Sequence, residues 1–180
     1  MRATEVRPTG VERTFGENEM IVTKTDQRGV ITYANDLFLQ ISALREDEAI
    51  GRPHNVIRHP DMPRAVFKLL WDVLAERREI FAYVLNLAAD GAHYWVLAHV
   101  TPSYDGAGRV VGYHSNRRRP APAAITAVSD LYARLRTAEA RAASPRDAVQ
   151  AGWQALGNEL RERGQEYDEL VWSLTNGSAR

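Results

Sequence analysis

Residues 79–119, EIFAYVLNLAADGAHYWVLAHVTPSYDGAGRVVGYHSNRRR, restrict the fold more than any other stretch of the chain. Three runs rich in β-branched and aromatic residues are separated by ADGA at 89–92 and DGAG at 105–108. Asp-Gly pairs favour the tight turns of antiparallel hairpins. The stretch therefore predicts three consecutive strands, with side chains alternating between two faces. An apolar face on such a meander has to be covered, and the rest of the chain must supply the cover.

The upstream segments do so. TDQRGVITYAND predicts strand, turn, strand: Asp26 and Gly29 bracket the turn, and Val30, Ile31, Thr32 and Tyr33 favour extended backbone. Asn35 or Asp36 then caps a short helix with Leu37, Phe38 and Ile41 at helical spacing. LREDEAIGRPH predicts a second short helix that ends near Gly51, with Pro53 blocking its continuation. From Pro63 to Arg77 the spacing predicts a longer helix, with Val66, Phe67, Leu70, Trp71 and Leu74 on one face. The order β-β-α-α-α-β-β-β implies an α+β domain, an antiparallel sheet with helices on one face.

The domain boundaries follow from changes of pattern. Residues 1–17 are polar and read as an irregular lead-in, 18–117 as the core domain, and 118–123 as a linker marked by Pro120 and Pro122. Residues 124–180 read as a helical hairpin. Its first helix carries Ile125, Val128, Tyr132 and Leu135 on one side. SPRD at 144–147 starts the second, in which Val149, Trp153, Leu156, Leu160, Tyr167, Leu170 and Leu174 form a heptad run interrupted at Arg163. That run is longer than the stripe facing it, so the surplus predicts a homodimer.

Composition removes several classes of function. The 180 residues include no cysteine, which excludes disulfides, thiolate nucleophiles and Cys-based zinc sites. Acidic and basic residues balance at 23 each, which argues against nucleic-acid binding by bulk charge. The first twenty residues have no apolar signal core, and no apolar stretch approaches the ~18 residues of a membrane span. A cytoplasmic protein with no membrane insertion is expected. There is no GxSxG, P-loop or Rossmann glycine fingerprint and no identifiable nucleophile–base pair, so an enzyme is not expected.

The chemistry-bearing residues cluster in NVIRHPDMPRAVF at 55–67. Asp61, ahead of Met62 and Pro63, reads as a helix N-cap. A helix N-terminus with Arg58 beside it also suits a pyrophosphate. His54, His59 and Asp61 suggest metal ligands, but two prolines make the loop irregular and no metal motif such as HExxH accompanies them. Trp71 sits on an apolar helix face. Asn86 alternates with Leu85 and Leu87, while Tyr94 and Trp95 point to opposite faces of their strand. The arginines at 117–119 read as a solvated strand end.

TDQRGVITYANDLF, GRPHNVIRHPDMP and DGAHYWVLAHVTP, in this order, resemble a PAS sensor domain, and more narrowly the FAD-binding PAS domain of bacterial aerotaxis receptors. The resemblance covers roughly residues 14–135, including the AVSDLYARL helix. It implies a five-stranded antiparallel sheet with a ligand pocket under helices on one face. It also implies FAD as cofactor, with Arg58, His59 and Asp61 supporting it and Asn35, Trp71, Asn86 and Tyr94 lining the pocket. The chain departs from the flavin-binding pattern at Ile80, where a tryptophan is usual, and at Leu87 and Ala88, where basic residues are. The implied function is a sensor of redox state or of oxygen and energy status. It would relay that state by helix rearrangement to a chemoreceptor or histidine-kinase partner. The alternatives are a cofactor-free interaction or dimerisation module and a small-metabolite receptor.

Overall fold

The computed structural model describes residues 6–177. Five strands, β1 (Ile21–Asp26), β2 (Ile31–Ala34), β3 (Ile80–Leu87), β4 (His93–Tyr104) and β5 (Val110–Arg118), form one antiparallel sheet in the order β2-β1-β5-β4-β3. Between β2 and β3 lie α1 (Asp36–Ser42), α2 (Glu46–Ala49), a 3₁₀ turn (His54–Ile57) and α3 (Arg64–Ala75). The element order is the expected one. Asn35 is the N-cap of α1: its Oδ1 accepts from the amides of Phe38 and Val22, and its Nδ2 donates to the Met20 carbonyl.

Register assigns the faces. Thr23 stands opposite Ser115, Ala98 opposite Arg117, and Asn86 opposite Tyr94. Alternation then puts Thr23, Thr25, Tyr113, Ser115, Arg117, Ala98, Val100, Val84 and Asn86 on the face under α3. Tyr83, Leu85, Trp95 and Leu97 lie on the outer face.

The C-terminal region departs from a two-helix reading. It holds three helices, α4 (Pro122–Ala140), α5 (Pro145–Arg163) and α6 (Tyr167–Thr175). The predicted second helix breaks at Gly164, which takes the left-handed conformation (φ 62°). Arg134–Glu159 and Glu139–Gly152 contacts show that α4 and α5 run antiparallel.

The hairpin folds back on its own core. The Tyr132 hydroxyl donates to the Tyr83 carbonyl at 2.6 Å, Tyr83 and Thr175 share a hydroxyl bond at 2.9 Å, and the Tyr132 ring lies 6.0 Å from that of Trp95. Helices thus cover both faces at the β3 end and screen that edge strand, a common way to protect a sheet edge. Leu156, Tyr167, Leu170 and Val171 join the same core as Phe38, Ile57 and Val96. Most of the heptad run is therefore used within the chain, and the apolar surplus that motivated a homodimer shrinks to the exposed Trp172. No helix among the described residues is long and apolar enough to cross a membrane.

Candidate functional site

Between α3, the 3₁₀ turn and the sheet lies a cavity of about 430 Å³, within the size range of small-ligand sites. Its apolar lining comes from both sides: Ile57, Phe67, Leu70 and Leu74 from the helical side, and Val84, Ala98 and Val100 from β3 and β4 of the sheet. Trp71 and Tyr113 meet edge to face with ring centres 5.5 Å apart, and Trp71, half-exposed, forms part of the rim. The sheet floor is polar along β1 and β5, where Thr23, Thr25, Ser115 and Arg117 line it.

Arg117 dominates that floor. It is buried, and it has no carboxylate among its partners. Its Nε donates to Ser115 Oγ at 3.2 Å; its Nη2 donates to His54 Nε2 at 2.6 Å and to Thr23 Oγ1 at 3.3 Å. Its Nη1 has no partner among the described residues. Burial pulls its pKa down to about 10, so it stays cationic at neutral pH.

Accepting from a guanidinium at Nε2 requires a neutral His54 with its proton on Nδ1. Burial first, and then the Arg117 charge, hold its pKa well below the ordinary histidine value. The His54 ring also meets the Phe38 ring edge-on at 5.9 Å.

The residues expected at the site divide into two groups. Arg58, Trp71 and Asn86 line the cavity. Arg58 lies over the Phe67 ring at 4.4 Å, and its backbone bridges to that of Asn86. Buried Asn86 leaves its Nδ2 without a partner among the described residues.

Asn35, His59, Asp61 and Tyr94 do not line it, and each has a physical reason. Asn35 is engaged as a helix cap. His59 is buried with Nδ1 accepting from the Asp61 amide at 3.0 Å, so it shapes the loop. Asp61 does not cap α3, which starts three residues later; it turns outward to pair with Arg136 of α4. Tyr94 is fully buried next to Asn86, and burial pushes its hydroxyl well above the usual phenol range.

Ile80, Leu87 and Ala88, which depart from the flavin pattern, are buried core residues outside the cavity lining. They remove none of its walls. Ser115 and Thr23 are not among the expected site residues, and Arg117, which the sequence reads as part of a solvated strand end, is instead buried on the cavity floor because its strand position faces α3. Their signal was polar residues at alternate positions of strands whose other elements pack apolar on that face, and it is visible only once register is known. His54, whose place in the sequence beside His59 and Asp61 suggests a metal ligand, pairs instead with Arg117.

A PAS fold model matches residues 20–115. The aerotaxis receptor of Escherichia coli (strain K12) is 38% identical over 121 residues, 67% of this chain and 24% of the receptor, so the chain spans about a quarter of that relative's length. Phototropin-1A of Oryza sativa subsp. japonica is 29% identical over 44% of this chain and 9% of its own length. Among solved structures, a light-oxygen-voltage domain from work with a flavin analogue superposes with a TM-score of 0.55 at 20% identity, covering 62% of this chain and 83% of that one. The light state of the blue-light photoreceptor aureochrome1 LOV domain gives 0.52 at 22% identity, covering 67% and 92%. The sheet order, the helices over a cavity on one face and the family match across residues 20–115 agree: the chain belongs to the PAS family.

Proposed function

We propose that this chain is a sensor whose PAS cavity holds a flavin, FAD by its resemblance to aerotaxis-receptor domains. In this reading it passes the redox state of the flavin to a chemotaxis or kinase partner through its C-terminal helices. The observation that carries the reading is the cavity floor. Arg117 brings a buried cation with an unused N–H, and Asn86 brings an unused amide on a neighbouring strand. Buried donors of this kind call for an acceptor-rich or anionic ligand. The edges of a flavin ring offer such acceptors, and its apolar body suits Ile57, Leu70, Leu74 and the Trp71–Tyr113 pair.

A bound flavin supplies reversible electron and proton uptake. The residues of the chain supply the rest. Arg117 places positive charge where the ligand gains electron density, favouring its reduced form. His54, held neutral beside Arg117, keeps that charge uncancelled and fixes its direction. Asn86 donates from β3, on the strand that also carries Tyr83 to the C-terminal helices. A change in the hydrogen bond at Asn86 can therefore be felt across one strand by the hairpin.

The absorption spectrum of freshly purified protein tests this reading. A flavoprotein is yellow and bleaches on reduction, and Arg117→Met lowers its flavin content in a folded protein. A second reading, a receptor for a small carboxylate metabolite, is favoured by the same buried cation, which has no carboxylate partner. Colourless protein whose thermal stability rises with small carboxylic acids, and not with FAD, would establish it instead.

A further inference from the structure

Helix α3 has no cap of its own. Its N-cap residue is Pro63, which makes no side-chain hydrogen bond to the helix. The first amides of the helix, those of Arg64 and Ala65, donate instead to Oε2 and Oε1 of Glu139, each at 3.0 Å. Glu139 belongs to α4. One turn earlier on α4, Arg136 pairs with Asp61. A single turn of α4 thus grips both ends of the segment 61–65.

That segment is continuous with the cavity wall, since Ile57 and Arg58 before it and Phe67 after it line the cavity. The grip is backed by α5. A Cβ at Gly152 would stand 2.8 Å from Glu139 Cγ and closer still to its carboxylate, so glycine is what lets Glu139 lie against the α3 amides. Lys68 of α3 adds a contact over the Trp153 ring of α5 at 4.5 Å.

We infer that this turn of α4 is a latch: docking of the C-terminal hairpin and closure of the cavity wall at residues 58–67 are one cooperative event. A helix N-terminus with unpaired amides and an exposed positive dipole end is unstable, and a carboxylate corrects both faults. When the hairpin leaves, the first turn of α3 loses its acceptor and frays, and the wall at Arg58 and Phe67 opens. A ligand that holds Arg58 in place holds the same segment and favours the docked hairpin, because such coupling is reciprocal. Only this last step rests on the function proposed above.

Amide hydrogen exchange on the intact chain tests the latch, with Glu139→Ala, Glu139→Gln and Gly152→Ala beside the parent. Exchange at residues 61–68 and 145–163 is expected to rise about tenfold in Glu139→Ala and Gly152→Ala, with Glu139→Gln between. The amides of β1 and β5 should keep their protection. Alanine for glycine inside a helix ordinarily stabilises it, so a loss at 61–68 in Gly152→Ala reports displacement of Glu139.

Protection at 61–68 unchanged in both variants overturns the latch. So does a uniform loss throughout the chain, which would make Glu139 an ordinary stabilising contact. In protein loaded with FAD, the same variants should speed flavin release by a similar factor; unchanged release beside faster local exchange overturns the link to the ligand. Protein that takes up no FAD yet shows the local exchange pattern overturns the cofactor reading and leaves the latch standing.

Discussion

The two faces of the sheet differ in which buried polar groups they leave over. On the outer face, Tyr132 bonds the Tyr83 carbonyl and Tyr83 bonds Thr175 beneath α4 and α6, and the group left without a partner among the described residues is the neutral hydroxyl of Tyr167. On the cavity face, Arg117 and Asn86 are buried with donors unused among the described residues. Buried polar groups without partners cost stability. The cavity face therefore carries the larger cost, a buried cation with a free N–H, and in the function proposed above a bound ligand would relieve it.

Arg117→Met offers the largest effect and the sharpest break in this comparison. Removing a buried cation that lacks an opposite charge should leave ligand-free stability equal or higher in urea unfolding. Affinity for the cavity ligand should fall by about 100-fold, the cost of a charge-assisted hydrogen bond. A variant that loses stability while keeping its ligand would show that Arg117 serves the fold.

Tyr132→Phe probes the opposite face. It leaves the Tyr83 carbonyl of the edge strand buried without its hydroxyl donor, and urea unfolding should show a loss of about 1–2 kcal/mol. Ligand content should hardly change. A larger effect on the ligand than on stability would mean that the two faces are not separable.

The pH dependence separates the buried histidines from the carboxylates paired with arginines. His54 and His59 both have pKa values below the ordinary value, mainly through burial. Between their folded values and about 6.5, the unfolded chain holds more protons than the folded one. Their contribution is complete above about pH 6.5 and drains away as pH falls below it, by at most about 1.4 kcal/mol per pH unit for each group. Carboxylates held low by hydrogen bonds and nearby arginines, such as Asp90 and Glu159, act only in a more acidic window, as pH falls through the carboxylate range. His54→Asn should flatten the slope that sets in as pH falls below about 6.5 in urea unfolding. An unaltered slope would place the proton uptake elsewhere.

The difference between the faces also explains what could be read from the sequence. Strands, turns and the cap at Asn35 are local features, carried by Asp-Gly pairs, alternation and a side chain that reaches three residues ahead. The PAS order was legible for that reason. The cavity floor was not, because Arg117 meets His54 across 63 positions of chain and only register brings them together. RHPDMP was legible as a motif, but its roles were not. Pro63 displaces the helix start past Asp61, and the acceptor for the α3 amides comes from Glu139, 75 residues from Arg64. The hairpin was legible as helix, yet its packing on its own core was not, since a heptad run looks the same whether a second chain or its own core covers it.

Asp61→Asn carries the smallest expected effect and bears most directly on how the site is drawn. The Asp61 side chain is about half exposed (53%) and its partner Arg136 is similar (40%). Exposed ion pairs contribute at most about 1 kcal/mol and weaken with salt. The substitution should therefore cost less than about 0.5 kcal/mol, and the difference from the parent should vanish at high salt. Flavin content should be unchanged, because Asp61 faces α4 and not the cavity. The resemblance to aerotaxis receptors implies the opposite, a supporting role for Asp61 in holding FAD. Flavin content measured against the folded fraction decides between the two. A folded Asp61→Asn protein stripped of flavin would mean that the ligand extends past the cavity to the start of α3, into the turn that Arg136 and Glu139 now occupy. In that case the latch would compete with the ligand for the same segment, and the hairpin would undock on binding instead of closing over it.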